Sequence, residues 1–322
     1  MRFMLCAVLA LLLAVPDATL AEPAKDGVLV AVGYGGRRIV SRDGKEWEIA
    51  AEWAEKGGDD SDNLISVVFA QGKFIAVGGG TPKRDKAIGG HVLTSSDGKE
   101  WKEVHTARFR VHPVLFGNNR FVAGGPSRNF VFSTDGAAWQ DGAKLTAKEA
   151  SHFRQGAFGN GVFVFLGNAG GNSPTTWVAV TKNGETLDHI AVDLPVIRGL
   201  TFANGVFVAV GPDGRRLTSK DGVQWTERAM AEGQDLHWVV WTGAEFVCGG
   251  GKNVYRSTDG EQWDKWPSAI PCTVLCVTPH GWVGTSWPGQ MWHSPDGKTW
   301  TKSKPMTPNG INSAAYGVVG KD

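Results

Sequence analysis

Cysteine is scarce: four residues in 322. Cys6 lies in the apolar N-terminal stretch, which leaves Cys248, Cys272 and Cys276. Three thiols allow at most one internal disulfide, so a disulfide framework does not organise this fold. Cys272 and Cys276 stand four apart on one expected strand. At about 3.3 Å per residue they are too distant to bridge. A Cys248–Cys276 bridge and three buried free thiols both stay open. Net charge is absent too. Lys and Arg number 33 against 32 Asp and Glu, a formal balance of +1. No global field therefore draws the chain to nucleic acid or a membrane surface. Tyrosine occurs only three times, and no H-E-x-x-H, C-x-x-C, Walker or G-x-S-x-G pattern is present. The eight histidines are scattered, and a metal would rest on His112 and His237 alone. These fall in different repeats, so neither a metal nor a cofactor is expected.

What the chain has in excess is glycine, 44 residues, and tryptophan, 14. Tight turns and bulky packing residues in that proportion suit an all-β protein. The N-terminus reads as a targeting segment. Arg2 precedes an apolar run from Met4 to Val15, and Thr19-Leu20-Ala21 ends in a small residue before Glu22. The run is short for a bilayer span, so a cleaved secretory signal over 1–21 is expected, followed by a short segment 22–26. No second transmembrane candidate follows. The protein is expected to be exported, to the periplasm or outside the cell.

One heptapeptide recurs through the rest. The pattern S-x-D-G-x-x-W spans Ser41–Trp47, Ser95–Trp101, Ser133–Trp139, Ser219–Trp225, Ser257–Trp263 and Ser294–Trp300. A seventh, weaker copy runs from Thr181 to Leu187, with Asn183 for Asp. A second phrase lies between the copies, best seen in Leu200 to Gly211. It reads strand, Asn-Gly turn, strand, the turn residues being those that accept positive φ. A third strand precedes each heptapeptide and a fourth is expected to begin at its Trp. Four short antiparallel strands (a to d) per repeat of about 40 residues predict a β-propeller. The first repeat lacks strand a, and the C-terminus holds an unused one, Ile311 to Tyr316. That strand is predicted to close a seven-bladed ring, removing an exposed sheet edge. One domain over 27–320 accounts for all seven blades.

The repeated carboxylates, Asp43, Asp97, Asp135, Asp221, Asp259 and Asp296, with Asn183 in the seventh copy, are read as turn-formers. Each can accept backbone N–H bonds from the residues that follow. Calcium loops need more oxygen ligands than the motif offers. The heptapeptide resembles the Asp-box, or BNR-type, repeat of sialidases and related propellers, in a form one residue shorter between Asp and Gly. The resemblance implies a structural box lying away from the active face. It does not imply one activity, because the family holds glycosidases, binding propellers and assembly factors.

Strand order puts the a–b turns and boxes on one face, and the b–c loops and inter-blade d–a connections on the other. The second face varies. It carries the inserts Gly80 to Gly90 and Gly170 to Thr175, and a long blade 1–2 connection with Glu52, Trp53, Glu55, Asp59, Asp60 and Asp62. Binding residues favour variable loops on a rigid frame. The inner strands align on Phe69, Phe116, Phe158, Phe202, Trp241, Val277 and Tyr316. Four positions earlier they carry Ile65, His112, Arg154, Arg198, His237, Thr273 and Asn312, each preceded by an apolar residue. This is a candidate polar ring at the channel mouth. Its ligand-binding candidates are His112, Arg154, Arg198, His237 and Asn312. Two Arg and two His favour an anion, with Arg37, Arg38, Arg84, Arg128, Arg215, Arg216 and Lys252 on nearby loops. The competing reading is a channel of solvated polar residues whose Arg pair with acids such as Asp193 or Glu232.

The expected function is that of an exported, monomeric binding propeller taking a glycan, a small anion or a protein partner. A scaffold or assembly factor differs only in its partner. A sialidase-like glycoside hydrolase is the enzymatic alternative. It needs a Tyr nucleophile with a Glu partner, and of Tyr34, Tyr255 and Tyr316 only Tyr34 is expected on the right face. A two-carboxylate hydrolase would draw on Asp60, Asp62, Glu149 or Asp235.

Overall fold

The computed structural model describes residues 27–53, 58, 62–79, 89–125, 129–144, 152–168, 175–229, 234–251 and 253–320. The expected signal and the segment 22–26 lie outside them. So do Arg84, Arg128, Lys252, Glu55, Asp59, Asp60, Glu149 and Glu232, and nearly all of both inserts.

Seven four-stranded antiparallel sheets stand in a ring, a seven-bladed β-propeller. The inner strands of blades 2 to 7 are Leu64–Ala70, Val114–Gly117, His152–Gly159, Gly199–Ala203, Trp238–Trp241 and Thr273–Thr278. Blade 1 is composite. Its inner strand is the C-terminal Ile311–Val318, paired with Gly27–Gly33. Leu29 faces Tyr316 and Val30 faces Ala315 in that register. The ring is thus closed by strands from the two ends of the described chain, as the unused C-terminal strand predicts.

No single core exists. The buried apolar residues fall into seven clusters, one in each seam between blades. The seam of blades 4 and 5, for example, joins Val164, Leu166 and Val178 to Phe207, Ala209 and Leu217. Every sheet is buried on both faces, which is why the middle strands read as unbroken apolar runs such as Val206–Val210 rather than as alternation.

The boxes lock the seams. In the blade 5 box, the Ser219 hydroxyl donates to Asp221 Oδ1 (3.0 Å) and accepts the Gly222 N–H (2.8 Å). Asp221 Oδ1 accepts the N–H groups of Val223 and Gln224, both at 2.8 Å. The Trp225 indole N–H donates to the Gly222 carbonyl at 2.8 Å, so the indole enters the seam with its polar atom satisfied. Asn183 keeps the same geometry with an amide oxygen, accepting Glu185 and Thr186 N–H at 2.9 and 3.1 Å. The Trp belongs to the turn. Strand d starts one residue later, as at Thr226, because the indole bond to the box holds the Trp outside the ladder.

Each box leans on the blade before it. A Cβ on Gly222 would lie 2.3 Å from Val164 Cγ2, in the middle of blade 4. The a–b turns reach the other way. Asn160 Nδ2 donates to the carbonyls of Gly205 and Lys220, in the turn and box of blade 5, at 2.9 and 2.8 Å. Asn118 does the same to Gly161 and Lys182 in blade 4.

The three cysteines in the described residues are free. Cys248 lies in the seam of blades 5 and 6 and Cys276 in that of blades 7 and 1, so the open Cys248–Cys276 bridge does not form. Burial pushes the thiols of all three up to about 12.

Two outcomes test the clasp. Gly205 and Gly222 share φ +75°, but only Gly222 is crowded; nothing lies within 4 Å of a Cβ on Gly205. Gly205→Ala should cost about 1 kcal/mol from backbone strain. Gly222→Ala should cost roughly 3 kcal/mol, with the overpacking added. Urea midpoints of the two variants measure the difference. The second outcome is a pH dependence. Backbone N–H groups of Gln262 and Glu261 hold the Asp259 carboxyl below its ordinary value. In Asp43, Asp97 and Asp221 partial burial pulls upward, and the same kind of N–H pair outweighs it. A carboxyl depressed in the fold stabilises above its unfolded value, about 3.9, and that contribution is lost as pH falls through the folded value. Asp259→Asn should therefore cost a few tenths of a kcal/mol at pH 7, because solvent screens this exposed carboxylate. The gap to the parent should close as pH drops below about 4, measured by urea unfolding at each pH.

Candidate functional site

The ring of residues read from the alignment occupies a structural irregularity. In blades 1, 2 and 4 the inner strand loses one-to-one register at Asn312, Ile65 and Arg154. Each is a β-bulge, which turns the extra residue out of the ladder. The residues before the ring positions, Leu64, Val111, Phe153, Ile197, Leu236, Cys272 and Ile311, are all buried, whereas Arg154, Arg198, His237 and Thr273 are exposed. The polar interruption is therefore real, and it lies where strand a begins.

The ring is not one pocket. It is a series of contacts between successive blades. His112 Nε2 donates to the Arg154 carbonyl at 3.0 Å, which leaves Nδ1 as a buried acceptor without a partner. Asn312 Nδ2 donates to Asn63 Oδ1 and the Leu64 carbonyl, at 2.6 and 2.7 Å. These two positions make hydrogen bonds across seams. Arg198 Nη1 donates to Asp235 Oδ2 at 3.0 Å and to His237 Nε2 at 2.8 Å. Asp235 and His237 are 3.8 Å apart. The carboxylate is set in the d–a connection, so Arg198 has the acidic partner that the solvated-channel reading requires. That partner is Asp235; Glu232 lies outside the described residues. Arg198 holds the Asp235 carboxyl below its ordinary range. Its bond to His237 requires an unprotonated Nε2.

Among the described residues, the arginines expected to add charge on the b–c loops are not free surface. Arg37 and Arg38 open strand c of blade 1 (Arg37–Ser41), and Arg216 opens that of blade 5 (Arg216–Ser219). Arg37 meets Glu52 at 2.5 Å and the Met306 carbonyl at 3.1 Å. Arg38 donates to the Gly36 carbonyl and stacks over Trp53, 5.3 Å to its centroid; burial lowers it to about 10. Arg216, 3% exposed, lies over Tyr255 and Trp263 at 4.2 and 5.2 Å. Planar guanidinium groups stack on aromatic faces, which is how Arg38 and Arg216 are held, while Arg37 is held by an ion pair and a carbonyl. Arg215 is paired with Glu227 at 3.1 Å. Tyr255 is thereby committed to a seam, and Tyr316 lies against Gly27.

An open site does exist beside His237. A cavity of about 320 Å³ lies between blades 6 and 7, lined by His237, Thr273, Thr285, Ser286 and Trp287, with the Gly250-Gly251 loop and the Ile270–Cys272 connection. Trp287 is 68% exposed and meets the Tyr34 ring edge-on at 6.3 Å. Thr285 is buried and its Oγ1 has no hydrogen-bond partner. Sequence reasoning missed Trp287 and Thr285. The available signal was Trp287 in the b–c loop of blade 7, where blades 1, 5 and 6 carry glycines. A larger cavity, about 670 Å³, lies on the box side between blades 1 and 2. Much of its lining is already committed. Lys99 pairs with Glu48 at 2.5 Å, and Asp43 and Asp97 bond their own turns.

No group of three or more His, Cys, Asp or Glu could hold a metal among the described residues, and no described helix is long and apolar enough to cross a membrane. No family model matches the chain, and no curated protein sequence matches it. Solved structures share the propeller fold. YCF48 bound to D1 peptide aligns with TM-score 0.57 at 15% identity, over 82% of this chain and 84% of that one. A chain of the mitotic checkpoint complex aligns with TM-score 0.56 at 12% identity, over 97% and 93%. YCF48 from Cyanidioschyzon merolae aligns with TM-score 0.52 at 16% identity, over 77% and 86%. At these identities the likeness is one of fold, that of a class whose members include binding and scaffold modules.

His112 gives a test of the ring's structural half. Burial, the largest influence, pushes its imidazole down to about 4, and the bond to the Arg154 carbonyl only partly opposes this. A buried His depressed in the fold binds fewer protons than in the unfolded chain. Stability is then fully present above about 6.5 and declines as pH falls from there toward 4. NMR of the ring Cε1–H should show no His112 titration between pH 5 and 8, and His112→Gln should flatten the decline in that window.

Proposed function

We propose that this chain is an Asp-box-like propeller that works as an exported binding module. It holds a partner (a protein segment, a glycan or a small anion) on its variable face without chemistry of its own. The observation that carries the reading is the contrast between the two faces. The box face is seven near-copies of one satisfied turn. The opposite face bears the exposed Arg198–Asp235–His237 group, an open cavity beside it and an exposed Trp287. Rigid frames that carry irregular polar and aromatic groups at one end are binding surfaces. The neighbours agree in kind, since one is a YCF48 bound to D1 peptide and another a chain of a nidogen/laminin complex. A scaffold role uses the same face and differs only in what is held.

Among the described residues, nothing in the geometry favours the hydrolase. A general acid needs a raised carboxyl, and Asp235 is lowered by Arg198. The test is a photo-crosslinking residue placed at Trp287 and, separately, at Lys298 in the blade 7 box. Export from the native cell, followed by irradiation, should give a discrete adduct from position 287 and none from 298. Equal labelling from both faces would overturn the reading, as would hydrolysis of fluorogenic sialosides that is lost in Asp235→Asn.

A further inference from the structure

We infer that the cavity between blades 6 and 7 is a subsite for a neutral hexopyranose ring, stacked on Trp287 and hydrogen-bonded through Thr273, Thr285 and Ser286. The inference rests on the variable face being the binding face, and it names the chemistry that this part of the face selects.

Charge decides the class first. Among the described residues, no carboxylate, lysine or arginine lines the cavity. His237, which lines it, accepts a hydrogen bond from Arg198 through Nε2. Arg198 itself is turned to Asp235. A phosphate or carboxylate entering here would lose water and gain no opposite charge, which is costly. The polar groups that are present are hydroxyls. Thr273 is exposed at the mouth, and Thr285, 8% exposed, has a hydroxyl with no partner in the protein. An orphaned buried hydroxyl costs about 1–3 kcal/mol, and a turn of the Thr285 side chain that brings it to a ligand hydroxyl recovers that term. Ser286 Oγ accepts the Trp292 indole N–H at 2.9 Å, so its own proton is left to donate. The site therefore offers both donors and acceptors at short range without charge.

Shape and the aromatic group narrow the class. The volume, about 320 Å³, is at the small end of ligand pockets, enough for one ring. An extended peptide would need a groove with a run of backbone partners. Trp287 supplies a π face whose negative quadrupole attracts C–H groups, while Tyr34, edge-on at 6.3 Å, fixes its plane. A pre-set aromatic loses little freedom on binding. A hexopyranose has the matching two sides: an edge of hydroxyls and a face of C–H bonds.

The experiment titrates methyl glycopyranosides of glucose, galactose, mannose and N-acetylglucosamine into the full chain, followed by tryptophan emission and saturation-transfer NMR. At least one should saturate in the millimolar range. Trp287→Ala should weaken that binding by about tenfold or more, as loss of a central aromatic anchor does. Thr285→Val, which keeps the shape and deletes the hydroxyl, should weaken it by about threefold to tenfold. Trp53→Ala, at a seam stack away from the cavity, should leave it unchanged. No saturation by any of these sugars, or saturation indifferent to Trp287→Ala, overturns the inference. A Trp287-dependent response to a tetraproline peptide instead would discard the saccharide and leave the binding face standing. Loss of the adduct from position 287 would discard the face itself.

Discussion

The structure depends on a contact made where a box glycine meets the middle strand of the preceding blade. Gly98 faces Val30, Gly184 faces Val122, Gly222 faces Val164 and Gly260 faces Val208, and at each a Cβ would fall within 2.8 Å of the valine. Seams this close leave room only for the box backbone, and the Trp that follows fills what remains. Because every sheet is buried on both faces, no blade can bury its own apolar surface alone. Stability is therefore a property of seams. The last seam exists only because Ile311–Val318 pairs with Gly27–Gly33.

That dependence explains where the charged residues went. Arg37, Arg38 and Arg216 lie at the entrance of strand c, where two blades diverge and a long side chain can cross the gap. Each ends on an aromatic ring, a carboxylate or a carbonyl of a neighbouring element. His112 and Asn312 do the same on strand a. A charge census of the variable face taken from the sequence thus overcounts the groups available to an anion. The guanidinium groups that look like a basic patch are largely spent on holding blades together.

The architecture was legible because it is periodic. Seven boxes, Asn-Gly turns and an orphan C-terminal strand all point to one closed ring, and each is a local signal with one physical meaning. The ring of residues four positions before the core aromatic was legible as well, down to the buried neighbour on its N-terminal side. Its role was not. The bulges at Ile65, Arg154 and Asn312 depend on how strand a meets strand b, which no single-strand pattern records. Partners were hidden for the same reason. Asp235 is 37 residues from Arg198 in the chain, and only blade geometry brings them to 3.0 Å. Trp287 was overlooked because repeats train attention on what recurs, and it occurs once.

Single occurrence is the better guide to function in a molecule of this kind. A residue repeated in all seven blades answers a demand that all seven share, and the only such demand is packing. A site answers a demand met once, so it must be sought where one blade departs from the rest. Blade 7 departs by placing an exposed Trp and two hydroxyl residues where blades 1, 5 and 6 place glycine-rich turns. Blade 6 departs at His237, which accepts a hydrogen bond from Arg198 of blade 5. The two departures adjoin, across one seam and on one face. Seven independent irregularities would be expected to scatter around the ring. Among the described residues, an open cavity, an unpartnered hydroxyl and an exposed indole share a single seam, a coincidence that packing alone does not require.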